Sequence, residues 1–503
     1  ALLSIPRVHR FAAPPVLGDA ATAAVPLAVC IDPAPGGDAD ATHASLSEQV
    51  VAAADVVEAR PDEALASTRA PWLLVVPAGD RLSPLAVKRF GQAITLAPDA
   101  ALLTCDEDEL DHAGTRRNPT LRPGPSPDLM LAVDLVGSSL CVRSEAARAA
   151  GATVERYRLA LALAGGDGAG HAHIPAILLH RAHRRDDPAP TGDAEAAVRD
   201  VLATRGEAAA RVESPGPGHR RVRRALRGEP SVEVIVCFRD RPGLLRRCAE
   251  SLLALTAYER LQLTLIDNAS TNPDVAALLA ELDRDARVAT VRDEHPFNFS
   301  ALNNAAAARS KADVLVFLNN DTEVLEGGWV EELLEEAQRD CVGAVAPLLV
   351  YPDANRVQHV GAAIGLHGYA GHPFAGLRPD EQTPFGSALD GTRNWLAVTA
   401  ACLMVERRKF AAVGGFDEGF TVAGNDVDLG LRLTAAGFRS LCVPHVRLAH
   451  AESRTRGSEI PDRDFTLSRE RYGAFRTVGD PFYNPNLTLA DTDCGVRRPE
   501  ELP

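Results

Sequence analysis

DVLVFLNNDTEVLEGGW, residues 313–329, decides the fold. Five apolar residues, Val314 to Leu318, run straight into Asn319, Asn320 and Asp321. A short apolar run bounded by turn residues fits a strand buried on both faces. The three oxygen-bearing side chains at its end have two explanations. Asn and Asp open turns by bonding their own backbone; they also bind ligands.

The flanking sequence favours a sheet edge. SVEVIVCFRDRPGLLRRCAESLLAL, residues 231–255, reads as strand, turn and helix, and LQLTLIDNAST, residues 261–271, as a second apolar strand closing on Asp267 and Asn268. DVAALLAELDRD predicts a helix, VATVRD a short strand, and FSALNNAAAARS a helix capped by Ser300. Alternation at this spacing implies a parallel sheet with helices on its faces. Ligands of such sheets bind beyond the carboxyl ends of the strands. Arg239–Asp240, Asp267–Asn268 and Asn319–Asp321 are therefore expected along one edge.

Bulk properties bound the function. The 503 residues exceed one ordinary core, so two domains are expected. A net charge of −15 disfavours non-specific nucleic-acid binding, so no nucleic-acid partner is expected. Nine cysteines, several inside apolar runs, show no zinc-type spacing and read as reduced core residues of a cytoplasmic protein. The longest apolar run, WLAVTAACLMV from Trp395, is about half a membrane span, and the N-terminus shows no signal-peptide pattern. Membrane contact, if any, would be peripheral.

There is no G-x-G-x-x-G after the first strand and no P-loop motif. Phosphate must be held otherwise, and a hard divalent cation, Mg²⁺ or Mn²⁺, on side-chain oxygens would do so. Asp321 offers a charge and Asn319 a neutral carbonyl. Further on, GNDVDLGLRLTAAG places Asp426 at a helix start, where it serves as an N-cap or as a general base for a substrate hydroxyl. SLCVPHVRLAH then delivers His450, whose neutral imidazole suits a metal.

From about Val232 to Leu489 the chain resembles family 2 glycosyltransferases of the GT-A fold, nearest to bacterial enzymes of O-antigen and other surface-polysaccharide assembly. The likeness rests on VIVCFRDRPGLL, LIDNAST, PFNFSALNNAA, FLNNDTEV, TAACLMVERRKFAAVGGFDE, GNDVDLGLRL, LAHAES and NPNLTL in that order. It implies that Asn319–Asn320–Asp321 stand at the metal-binding D-x-D, with Asn320 also near the nucleotide sugar. It implies that Asp267 contacts the nucleoside, that Arg239 and Asn303 lie in nucleotide-facing motifs, that Asp426 is the base and that His450 is a late metal ligand. Asn319 departs from the commonest motif and removes one anionic ligand. The implied reaction is one inverting displacement from a nucleotide sugar, a hexosyl or deoxyhexosyl donor, to a glycan or lipid-linked acceptor. The rivals are another nucleotide-sugar enzyme on the same scaffold and a non-catalytic glycan-binding protein. His359, His372 and Trp395 are candidate acceptor contacts or structural residues.

The first half repeats the second. PWLLVVPAGDRLSPL matches DVLVFLNNDTEVLEG, and 24 residues separate both Arg156 from His180 and Asp426 from His450. In this alignment Pro77, Ala78 and Gly79 replace the polar triplet and Arg156 replaces Asp426. Such residues neither ligate a cation nor accept a proton. We expect tandem α/β GT-A-like domains: a degenerate, non-catalytic one over 1–185, a linker with one helix over 186–230, and a catalytic one over 231–503.

Two charged stretches carry their own expectations. TCDEDELDHAG, residues 104–114, looks like a metal site but reads as a solvated strand-to-turn segment. Arg220, Arg221, Arg223, Arg224 and Arg227 read as a solvated linker or as a site for anionic lipid or a lipid diphosphate.

Overall fold

A computed structural model describes residues 25–33, 37–111, 113–151, 155–182, 193–352, 355–451 and 460–501. The opening of the expected linker, residues 186–192, lies outside them. In the first half, β1 (Leu27–Asp32), β2 (Asp55–Glu58), β3 (Trp72–Pro77), β4 (Arg81–Leu82), β5 (Leu102–Leu110), β6 (Arg116–Thr120), β7 (Leu140–Arg143) and β8 (His171–Ala182) build one sheet. Its order is β2-β1-β3-β7-β5-β8-β4, with β6 on β5. A hairpin follows, β9 (Arg211–Gly216) and β10 (His219–Arg223).

The second half holds β11 (Val232–Phe238), β12 (Leu261–Asn268), β13 (Val288–Asp293), β14 (Val314–Asn319), β15 (Thr322–Val324), β16 (Val342–Val350) and β17 (Val357–His359). A small pair, β18 (Ala363–Ile364) and β19 (Ala370–Gly371), stands apart. β20 (Arg393–Trp395), β21 (Cys402–Glu406) and β22 (Arg439–His450) complete the main sheet. Its order is β13-β12-β11-β14-β21-β16-β22-β15, with β17 on β16 and β20 on β22. Strand for strand, β12-β11-β14-β21-β16-β22-β15 repeats β2-β1-β3-β7-β5-β8-β4. The two halves are tandem GT-A-like folds, and β13 has no partner among the described residues of the first.

The second sheet is mixed, not uniformly parallel. β11, β12, β13 and β14 run parallel, whereas β21 lies antiparallel between β14 and β16. Successive residues of one strand feed different cores: Leu315 and Phe317 on one side, Val314, Val316 and Leu318 on the other. Burial on both faces explains the unbroken apolar run.

The repeat differs at its turn. Thr322 pairs with His450 and Arg81 with His180, so Thr322 and Arg81 are equivalent. The link from β3 to β4 is one residue longer than that from β14 to β15, which sets Asp80, not Gly79, beside Asp321. The first half thus keeps one carboxylate of the triplet.

Several expectations change on contact with tertiary structure. Residues 186–230 are no free linker. The helix Ala194–Thr204 buries Ala197, Val198, Val201 and Leu202 in the first core. Four of the five arginines are neither solvated nor lipid-facing, and only Arg227 is exposed as a solvated residue would be. Arg220 is buried, stacked on Tyr157 and donating to its hydroxyl. Arg221 pairs with Glu332, Arg223 with Glu335, Arg224 with Glu207 and Glu336, and Arg227 with Asp340. Glu332, Glu335 and Glu336 lie on the helix Trp329–Ala337, so the segment straps the two halves together. The acidic run is also not solvated. Asp106 meets His173 and Asn484, Glu107 meets Arg122, and Asp108 meets Arg116 and His180. Ser300 is not the cap of its helix: Asn298 accepts from Ala301 N, and Ser300 donates to Phe420 O.

Buried polar bonds lock the joint. Asp128 of the first half is bonded by Arg339 (2.6 Å), Arg439 (2.8 Å) and Asn394 (2.8 Å) of the second. Burial opposes its charge, but the two guanidiniums hold its carboxyl well below the usual carboxylate range. A depressed folded pKa gives stability that is present above the unfolded value and lost as pH falls through the folded one. Asp128→Ala, which takes from Arg339 and Arg439 the buried carboxylate they share, should cost about 3–5 kcal/mol in urea unfolding. The deficit should be larger at about pH 7 than at about pH 3.

Candidate active site

Three strand ends make one ledge. In register, Phe238 pairs with Asp267 and Cys237 with Asn319, so Asp267 and Asn320 stand level with Phe238, and Arg239, Asn268 and Asp321 follow one step beyond at the sheet edge. The turns behind them are laced together. Asp240 Oδ1 accepts from the amides of Thr271 and Asn272, both at 2.8 Å, and its own amide donates to Ser270 Oγ at 2.7 Å. Those amides hold the Asp240 carboxyl below its ordinary range. Asp240, Arg241 and Ala269 adopt φ of +55°, +55° and +57°. Left-handed backbone at non-glycine residues is uncommon and concentrates at functional sites. Ser270 was not singled out in the sequence, where it looks like an ordinary turn residue.

Asp267 is buried and fully engaged: Oδ1 accepts from Ser270 N (2.9 Å) and Oδ2 from Arg292 (2.6 Å). Arg292, half-exposed, was not foreseen from sequence either. Arg239 stands exposed just past β11. Asn303 is 1% exposed and donates to Phe299 O in its own helix, so its amide is turned inward.

The polar triplet meets His450. Pairing of Thr322 with His450 sets Asp321 Oδ1 and Asn319 Nδ2 each 3.3 Å from His450 Nε2. Asn320, Asp321 and His450 are all buried. A carboxylate, an amide and an imidazole around one point suit a borderline-hard cation such as Mn²⁺. Among the described residues no group of three His, Cys, Asp or Glu side chains is arranged to hold a metal. The triplet instead combines two such residues with an asparagine, which leaves positions for diphosphate oxygens and water.

Asp426 is joined to this point by one loop. It is the second residue of the helix Asn425–Ala435, not its cap. Gly424 takes the cap at φ +86°. Asp426 Oδ2 accepts from Ala400 N (3.2 Å) and Oδ1 from Val427 N (2.8 Å). The next carbonyl, Ala401 O, accepts from Asn319 N at 3.0 Å and from Thr322 Oγ1 at 3.3 Å. Asp426 and the triplet therefore grip adjacent residues. His359 is wholly buried and accepts from Thr399 N at 3.2 Å, so it supports this loop. Burial, and the neighbouring His372 and His450, push its pKa well down, which keeps it neutral. Trp395 is buried against Gly361. His359 and Trp395 are thus framework residues, and His372, half-buried, contacts His359 at 2.9 Å.

The first half presents different chemistry at the equivalent edge. Asp80 is buried and accepts from Ala182 N. His180 turns to Asp108, and Arg156 donates to Ser138 O. A Cβ on Gly37 would stand 2.2 Å from Ala78 O, so the loop after β1 lies directly on the turn.

The glycosyl transferase family 2 profile matches residues 233–385, which carry the ledge and the triplet. The chain carries a glycosyl transferase family 2 domain. Among relatives of this domain, the O-antigen biosynthesis protein RfbC of Myxococcus xanthus is 42% identical over 468 residues, 88% of this chain and 36% of that protein. An N-acetylglucosaminyl-diphospho-decaprenol L-rhamnosyltransferase of Mycobacterium tuberculosis is 32% identical over 157 residues, 29% of this chain and 50% of that enzyme. The chain thus spans about a third to a half of these relatives. The crystal structure of GalNAc-T7 with UDP, GalNAc and Mn²⁺ aligns with a TM-score of 0.41 at 18% identity, over 52% of this chain and 53% of that one.

Gly430, one turn beyond Asp426, lets this helix close onto the segment that leads into the loop. A Cβ there would lie 2.5 Å from Leu396 O and 2.7 Å from Ala397 Cβ. Gly430→Ala should lower stability by about 1–3 kcal/mol through overpacking, measured by thermal denaturation.

Proposed function

We propose that the second half is an inverting, cation-dependent glycosyltransferase. It moves a hexosyl or deoxyhexosyl group from a nucleotide sugar to a hydroxyl of a glycan or lipid-linked acceptor during surface-polysaccharide assembly. The observation that carries this is the loop Thr399–Ala401, which joins Asp426 to Asn319 and so keeps a proton acceptor beside the triplet. The likeness to an O-antigen protein supports the acceptor class. No helix of the described residues is long and apolar enough to cross a membrane. We place the reaction on the cytoplasmic side.

In one displacement, the acceptor oxygen forms a bond to the anomeric carbon as the bond to the diphosphate breaks. The acceptor proton passes to Asp426, whose two oxygens are oriented by the Ala400 and Val427 amides at a helix N-terminus. Attack opposite the leaving group inverts the centre. Asn319, Asp321 and His450 would hold the cation, which when bound offsets charge on the departing diphosphate. Asp267, with Arg292, and Arg239 line the nucleoside side of the ledge, with Asn320 at the diphosphate. Asn303 acts there only by packing its helix. The first half transfers no sugar and serves as a rigid support.

A panel of nucleotide sugars with Mn²⁺, with and without EDTA, tests this by released nucleotide. Asp426→Asn should lower transfer about 10²–10⁴-fold and leave nucleotide binding near wild type. Asp321→Ala should lose both. Equal turnover by Asp426→Asn and wild type removes the base from the mechanism.

A further inference from the structure

Gln358 has no role in the chemistry above, yet its position is specific. It is 3% exposed and stands between Val357 and His359, both fully buried. A primary amide there is costly unless partnered. Val357 pairs with Val350 and His359 with Leu349, so two steps on β17 oppose one on β16. Gln358 is the extra residue of a β-bulge. Bulges next to active sites re-aim a side chain, and this one sets Gln358 Oε1 3.2 Å from His450 Nδ1.

We infer that Gln358 is a positioning residue that fixes the tautomer of His450 so that Nε2 faces the Asn319–Asp321 point with its lone pair. This rests on the cation site proposed above and names a residue that completes it. An amide oxygen only accepts, so the neutral imidazole carries its hydrogen on Nδ1. Nε2 is then an acceptor, and Asn319 Nδ2 donates to it at 3.3 Å. The other tautomer would aim N–H at Asp321 Oδ1, also 3.3 Å away, and would leave no nitrogen lone pair facing the site for a cation. Metal-binding histidines generally need an oxygen on the second ring nitrogen, and its loss weakens metal affinity about 10–100-fold. β17 then does two jobs with consecutive residues: Gln358 orients the histidine, and His359 holds the loop that carries Asp426.

Mn²⁺ alone, followed by electron paramagnetic resonance of the free ion, reads the effect without turnover. Gln358→Leu should weaken binding about 10–100-fold, and Gln358→Glu, which keeps an acceptor oxygen, should stay close to wild type. His450→Ala is the reference. If His450→Ala weakens binding and Gln358→Leu does not, the inference falls and the proposed site stands. If neither variant changes binding, or the wild type binds no Mn²⁺, the site itself falls and the inference with it. Should Gln358→Leu fail to fold, histidine ¹⁵N spectra of the wild type decide, with His450 assigned by its absence in His450→Ala. Hydrogen on Nδ1 supports the tautomer assigned here; hydrogen on Nε2 overturns it.

Discussion

Two neighbouring peptide groups hold the site together. The Ala400 amide bonds Asp426, and the Ala401 carbonyl takes the Asn319 amide. Both anchors are backbone, so the spacing between them is set by covalent geometry, not by side-chain rotamers. The antiparallel course of β21 follows from the same loop. A strand that begins at the ledge can only run away from it, which is why β21 lies antiparallel to both of its neighbours, β14 and β16.

The strands were legible in sequence because their burial is local and periodic. Val234, Val236, Leu263, Leu265, Val316 and Leu318 announce themselves as apolar runs, and the polar residues that end those runs mark the ledge. The partners of charged groups were not legible. Arg223 finds Glu335 across 112 residues, and Asp106 finds Asn484 across 378. Without those contacts both stretches look solvated. Asp426 looked like a cap because sequence does not reveal that Gly424 adopts positive φ. Arg292 was missed because an arginine at the end of a short edge strand has no pattern of its own.

The duplicated architecture shows how a sheet can be kept while its chemistry is exchanged. Strand order is conserved across the halves, yet a single extra residue between β3 and β4 shifts the surviving carboxylate, Asp80, onto a backbone amide. At β5 the first half has exchanged apolar residues of β16 for acids, and one of them, Asp106, grips the second half through Asn484 and Asn486. The edge proposed to bind substrate in one copy has become a joint in the other.

The arginine strap has a consequence for anyone who cuts this chain. The helix Trp329–Ala337 is counter-charged by residues that precede β11. A fragment started at β11 would present Glu332 and Glu335 as bare like charges on one helical face, at i, i+3 spacing, and would leave Glu336 to Arg339 alone. The natural seam for excision or grafting therefore lies upstream of Arg220, even though the sheet itself begins at Val232.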